Sequence, residues 1–396
     1  MDKQSILFIT NSSNWPLTDG KRQRTWFLIE ALSKKYTIDL LLMGYEKEIA
    51  QIKKSNNSIR ELYFIPLNDF SILEPGYSFL LSDKQKKVKK LFFNQVKDFF
   101  DNAYIKNHYN FIFSRYLEPI IAIPLDLNIK IVCDIDDVYF EKYQTRIKNE
   151  SSLIRKLKLK LLFFLGSKKV KKILTRIDIP IIVKKSDVSF PKLANALCLP
   201  NLPFGFYIEN KIISDTDFTP TSSQYINYGF IGKISYRPNY EGLVSFINSV
   251  WNPLLEKGID AKFVIAGSGV MPEILKKAIS NSKNIEVLGF IESTSFFWNQ
   301  INVLIVPVFE GGGSNIKIAE AFMYGKSVIA HPFASRGYED FLNSDFLFLP
   351  KNTKDWIAVM ASFTILKVPK SELISNKAKQ LFDLDLWNQK LLNALK

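Results

Sequence analysis

Three consecutive glycines, Gly311 to Gly313, followed closely by Ser314, Asn315, Lys317 and Glu320, are the residues whose types and spacing can do chemistry. Bare glycine backbone permits close approach by a ligand. Ser314 or Asn315 can cap a helix beginning there. Ile316, Ala319, Phe322 and Met323 follow helical spacing toward a core. A helix start offers unpaired N–H groups at the positive end of the dipole, a natural seat for a phosphate. Lys317 adds a positive charge there. Glu320 lies three residues on and shares its face, and an acceptor-only carboxylate suits sugar hydroxyls. Strand, glycines and helix also occur in doubly wound sheets for packing alone. Lys317 and Glu320 together favour a site with phosphate at the glycines and a polyol at the glutamate.

The elements that must position these residues are buried strands alternating with helices. Val303 to Val308 is a short, β-branched apolar run that predicts a strand covered on both faces. Further strands are predicted at Tyr225 to Ile231, Lys262 to Ala266 and Ile285 to Leu288. The loops after them fall at the same edge of a parallel sheet as the glycine turn. Gly232, Arg237, Gly267 and Gly289 therefore converge on the expected phosphate, with Arg237 as a solvated surface charge the other reading. The backbone around Phe290 and Ile291 is a candidate to hold a base. Strands at Ser5 to Thr10, Ile38 to Met43, Leu62 to Ile65, Phe111 to Ser114, Ile129 to Cys133 and Ile179 to Val183 predict a second parallel sheet in the first half. Lys21, Arg22 and Arg24 open a helix there, which is unfavourable for the dipole and points to an anion nearby, or to plain solvation. Asp134, Asp136 and Asp137 follow a strand, where a carboxylate can also cap the next helix.

A chain of 396 residues suggests two domains. We expect 1–205 as the first, 206–223 as a linker, 224–380 as the second and 381–396 as a closing helix. Hydrophobic residues at 47% and charged ones at 23% exclude wholesale disorder. Cys133 and Cys198 sit in apolar contexts and the start MDKQSILFITNSSNW has no signal-length apolar core, so a reducing cytoplasm is expected. No apolar run approaches a membrane span. His108, His331 and the two cysteines are too scattered for a metal site.

Net charge is +14. Residues 151–190 hold eleven Lys or Arg against two Asp. Within 151–175, Ile154, Leu157, Leu161 and Phe164 mark one helical face and Arg155, Lys156, Lys158 and Lys160 the others. Such a helix can pack on its own sheet with a solvated basic face, or lie on an anionic membrane surface as a peripheral element. Nucleic acid is not supported, since no aromatic-basic groove or base-reading motif accompanies the charge.

The run from Pro307 through EGGGSNIKIAEAFMYGKSVIAHPFASRGYE resembles the donor-binding signature of family 4 glycosyltransferases (glycosyl transferases group 1), in particular bacterial surface-polysaccharide enzymes. SYRPNYEGL and GFIESTSFF extend the resemblance over about residues 225 to 340. It implies a GT-B fold, α/β, with two Rossmann-like doubly wound domains facing across a cleft. It also implies that Gly311, Gly312, Gly313 and Lys317 hold a nucleoside diphosphate, that Glu320 binds the ribose, and that the C-terminal helix crosses back onto the first domain. Many members carry a second glutamate where this chain has Gly312. Arg237 joins Lys317 on the diphosphate, and Asp137 or Asp136 faces the acceptor. Asp134 and Asp136 also form the Asp-x-Asp pattern that holds a divalent metal in the other large glycosyltransferase fold, GT-A.

The expectation is thus a retaining glycosyltransferase with a nucleotide-diphosphate sugar as donor substrate, no cofactor and no bound metal. Its acceptor would be a glycan or lipid-linked glycan in surface polysaccharide assembly. A nucleotide-sugar epimerase on the same fold, and a non-enzymatic basic membrane-surface protein descended from a transferase, are the alternatives.

Overall fold

The structure, a computed structural model, describes residues 3–15, 19–52, 58–69, 72–73, 81–136, 144, 147–148, 150–185, 193–207, 226–311, 314–363 and 369–396. The chain forms two compact units, Met1–Pro200 with Asp385–Lys396, and Asn201–Leu384. The expected linker lies almost wholly outside the described residues.

In the first unit the strands are β1 (Gln4–Thr10), β2 (Tyr36–Gly44), β3 (Ile59–Pro66), β4 (Phe111–Arg115), β5 (Lys130–Asp134), β6 (Ile179–Ile182) and β7 (Leu197–Cys198). They form one sheet in the order β3-β2-β1-β4-β5-β6-β7, with every pairing parallel. Near-continuous apolar runs make this possible: Ile6 to Ile9 and Leu40 to Met43 are fully buried, as strands covered on both faces must be. The C-terminal helix Leu384–Ala394 packs here, its Trp387 Nε1 donating to Pro200 O at 2.9 Å and its ring beside Phe27.

The basic start of the helix Gly20–Ser33 finds its nearby anions within the protein itself, as carboxylates, while Lys21 stays exposed. Asp19 caps the helix, its carboxylate accepting from the N–H groups of Lys21 and Arg22. Arg22 pairs with Glu48 at 3.1 Å. Arg24, almost wholly buried, makes a two-pronged contact with Asp134 at 2.7 and 2.9 Å. Arg115 reaches Asp134 at 2.8 Å and Asp136 at 2.9 Å. The strand-end carboxylates are therefore neutralised by two arginines; the described contacts show neither a helix cap nor a metal site. Burial works to raise the Asp136 carboxyl, but Arg115 and Arg24 outweigh it and hold it below the ordinary value.

The second unit repeats the plan with β8 (Ile226–Ile231), β9 (Ala261–Ala266), β10 (Ile285–Gly289), β11 (Val303–Val306), β12 (Ser327–Ala330) and β13 (Leu347–Phe348). Their order is β10-β9-β8-β11-β12-β13, again parallel throughout. Connections run outward in both directions from the β8/β11 pair. That pair is the switch point, where a doubly wound sheet opens a crevice at its carboxyl edge. The two strands pair only through Val303 with Tyr228 and Leu304 with Gly229.

Candidate donor site

Each loop at this crevice is stapled to its neighbour. Gly232 N–H donates to Ala266 O at 3.1 Å, Gly267 N–H to Gly289 O at 2.8 Å, and His331 N–H to Val306 O at 2.9 Å. Residues after β8, β9 and β10, and those after β11 and β12, are thereby tied together at one edge. Gly311 follows β11 with φ +123°, a conformation open to glycine and strained for other residues. Gly312 and Gly313 lie outside the described residues.

The helix after the glycines is Ile316–Met323. Asn315 occupies its N-cap position, but its side chain does not cap; Asn315 Nδ2 donates to Ala334 O at 3.1 Å. Ser314 Oγ accepts from Asn201 Nδ2 at 2.9 Å. Capping by either side chain, expected from sequence, is thus absent, and the first-turn N–H groups keep the character of an anion seat. The core-facing set also differs: Ile318, Ala319, Ala321 and Phe322 are fully buried, while Ile316 is only partly so.

Lys317 is the central cation. Its ammonium sits 4.0 Å from the Phe230 ring centroid and 3.3 Å from Asn239 Oδ1. A Cβ on Gly232 would come within 2.8 Å of Lys317 Nζ, so a bare backbone is what admits the lysine here. Burial lowers its pKa to about 7, against the opposing pull of Glu320. A lysine so placed gives up its proton more readily than an exposed one, and an arriving anion favours its charged form.

Glu320 is buried, and a Cβ on Gly205 would stand 3.3 Å from its Oε1. The expected pair thus flanks the helix start. Arg237 is 67% exposed, bonded to Glu241 at 2.8 Å, with Glu310 at 3.8 Å. It borders the glycine turn through Glu310 and already has carboxylate partners. Phe290 follows β10 with its ring 66% exposed, beside half-buried Ile291. Asp137, expected in the first unit, lies outside the described residues.

Three residues at this edge escaped sequence reasoning. Asn239 holds Lys317, Gly205 borders Glu320, and Arg336, stacked 3.6 Å over Phe333, donates to Gly311 O at 3.4 Å. Arg336 follows β12 at the ligand edge, and the rule that flagged Gly232 could have found it. No cluster of His, Cys, Asp or Glu among the described residues could hold a metal ion.

A seven- and a six-stranded parallel sheet, with a glycine turn at the second switch point, define a GT-B protein. Solved structures agree over the full length. Sucrose-phosphate synthase of Thermosynechococcus elongatus matches with a TM-score of 0.66 at 13% identity, covering 99% of this chain and 98% of its own. Alpha,alpha-trehalose 6-phosphate synthase of Burkholderia multivorans gives 0.65 at 9%, covering 99% and 98%. HepE of Anabaena, in complex with UDP, gives 0.60 at 13%, covering 99% of each chain. Residues 226–363 match the family model described as glycosyl transferases group 1. The match to the group 1 glycosyltransferases thus falls within the second unit. No curated protein matches the sequence.

Proposed function

We propose that the protein is a retaining, family 4-type hexosyltransferase. It moves a sugar from a nucleoside-diphosphate sugar to a glycan or lipid-linked glycan in surface polysaccharide assembly. It works at the cytoplasmic face of the cell membrane, without a bound metal. The observation that carries the donor half is Lys317, held against Gly232 at the switch point beside a helix start that no side chain caps. Lys317, the amides of the glycine turn and first helical turn, with Ser314 and Asn315, hold the diphosphate. Arg237 and Arg336 supply positive charge at the rim. Glu320 accepts from the ribose hydroxyls, and Phe290 and Ile291 face the base.

In transfer, the bond from the anomeric carbon to the diphosphate oxygen breaks with its electron pair going to the diphosphate. The acceptor hydroxyl oxygen bonds that carbon on the same face, and its proton passes to the departing diphosphate oxygen. Charge grows on the diphosphate, so the fixed cation and backbone dipoles stabilise the transition state. Asp137 or Asp136 in the first unit is assigned to the acceptor. HepE was solved with UDP, so uridine nucleotides are the first donors to test.

Binding of an intact nucleotide sugar, whose diphosphate does not titrate near neutrality, is expected to protonate Lys317. Affinity should be level below about pH 7 and fall as pH rises through it. Titration calorimetry in two buffers of different ionisation heat checks this through the proton uptake. Activity itself is tested by incubation with sugar nucleotides, with and without a membrane extract as acceptor source. Acceptor-dependent release of nucleoside diphosphate supports transfer. Interconversion of sugar nucleotides without acceptor assigns the protein to the epimerases instead, and no turnover of any donor contradicts an enzyme.

A further inference from the structure

The helix Leu153–Leu174 has two apolar faces, and the fold uses only one. Leu162, Gly166, Val170, Ile173 and Leu174 are buried, and the four larger side chains join the first unit's core with Phe92 and Val96. On the opposite side Leu153, Ile154, Leu157, Leu161 and Phe164 are 53% to 82% exposed. Steps of three and four residues line them along one ridge over the first three turns. The face that sequence left open between packing on the sheet and meeting a partner is therefore the one turned away from the core. Lys158 and Lys160 flank this ridge, and Lys168, Lys171 and Lys172 continue its line toward the helix end, all exposed. Lys168 lies 4.6 Å over the Phe164 ring.

No acidic residue occurs in the helix, whereas it has eight Lys or Arg. A neighbouring helix, Asp83–Phe99, adds exposed Val88 and Leu91 among Lys84, Lys87 and Lys90. The two helices share the core, and Lys169 lies near enough to Lys89 to reinforce the lowering that burial imposes on it. Like charge at this density opposes pairing with a second copy of the same face. Nucleic acid would meet the lysines but leave the five aliphatic and aromatic side chains in water. A lipid surface satisfies both, with acyl chains for the ridge and anionic headgroups for the lysines.

We propose that this ridge docks the protein on an anionic membrane. The helix lies in the plane of the surface with Leu153, Ile154, Leu157, Leu161 and Phe164 entering the boundary between headgroups and acyl chains. The lysine stems follow the apolar side chains inward while their ammonium groups stay with the headgroups. Docking goes beyond a merely electrostatic attraction, and it stands apart from the donor reading because vesicle binding and nucleotide binding are separate measurements.

The test is sedimentation of the full-length protein with phosphatidylcholine vesicles and with vesicles also containing phosphatidylglycerol. Wild type is expected to bind the anionic vesicles at least ~10-fold more tightly, since each basic residue at the surface is worth about fivefold. Leu157→Ser, Leu161→Ser and Phe164→Ser together should weaken that binding by at least about tenfold. Thermal unfolding should be unchanged, because all three positions are exposed. Binding to neither vesicle, or equally to both, overturns the proposal. Full retention of binding by the triple variant also overturns it, leaving charge attraction alone. Self-association of the wild type that the triple variant loses, without vesicle binding, assigns the face to a second copy and likewise overturns it.

Discussion

Lys317→Met is expected to lower kcat/KM for the sugar nucleotide on the order of 100- to 1,000-fold, the loss that follows removal of one preorganised group facing developing negative charge. The substitution keeps the length and packing of the side chain against Phe230 and removes only the ammonium. Folding should not suffer. Lys317 titrates at about 7 in the folded protein against an ordinary 10.5, so between these values the unfolded chain binds the extra proton and stability rises with pH. Below about pH 7 the folded state carries the full penalty of a buried ammonium, and Lys317→Met should there unfold at a higher temperature than wild type. Both effects together separate a phosphate seat from a structural lysine. If kcat/KM stays within threefold of wild type, the diphosphate lies elsewhere.

The largest stability effect is expected at Asp134→Ala in the first unit. Arg24, Arg115 and Asp134 are all buried, and Asp134 is the carboxylate both arginines share. Its removal leaves Arg24 without this partner and Arg115 with Asp136 as its carboxylate among the described residues, which should cost about 3–5 kcal/mol, the usual penalty for breaking a buried pair from one side. Chemical denaturation followed by tryptophan fluorescence checks the value. Nucleotide binding by the second unit should persist in the variant under native conditions. A loss below about 1 kcal/mol would mean that water or a rearranged Asp136 replaces the missing carboxylate.

The sheets were legible because their strands are short apolar runs with turn residues at both ends, a local signal; Val303 to Val306 and Ile226 to Ile231 are examples. The donor site was legible in part for the same reason: glycines, lysine and glutamate lie within ten residues of one another. What brings Gly232 within reach of Lys317 is sheet order, and the parallel-edge rule carries that information. Long-range partners were not legible. Arg24 reads as a cation with an unidentified anion nearby until Asp134, 110 residues away, is seen to supply it. Ser314 and Asn315 have the right chemistry for capping, but Asn201 and Ala334 claim them through tertiary bonds. The basic helix failed for a different reason: apolar residues on both sides leave periodicity unable to say which face turns inward.

A nucleotide site at the glycine turn can be checked by thermal unfolding in the presence of UDP, GDP, ADP and CDP, for wild type and for Glu320→Ala. A ligand of the folded state adds about 2.7 kcal/mol at 100 times its dissociation constant, enough to register even for a weakly held leaving group. The unfolding temperature is expected to rise with one nucleotide, and to rise less in Glu320→Ala. No rise with any of the four, in folded wild-type protein, would contradict a nucleotide-sugar site at the glycine turn.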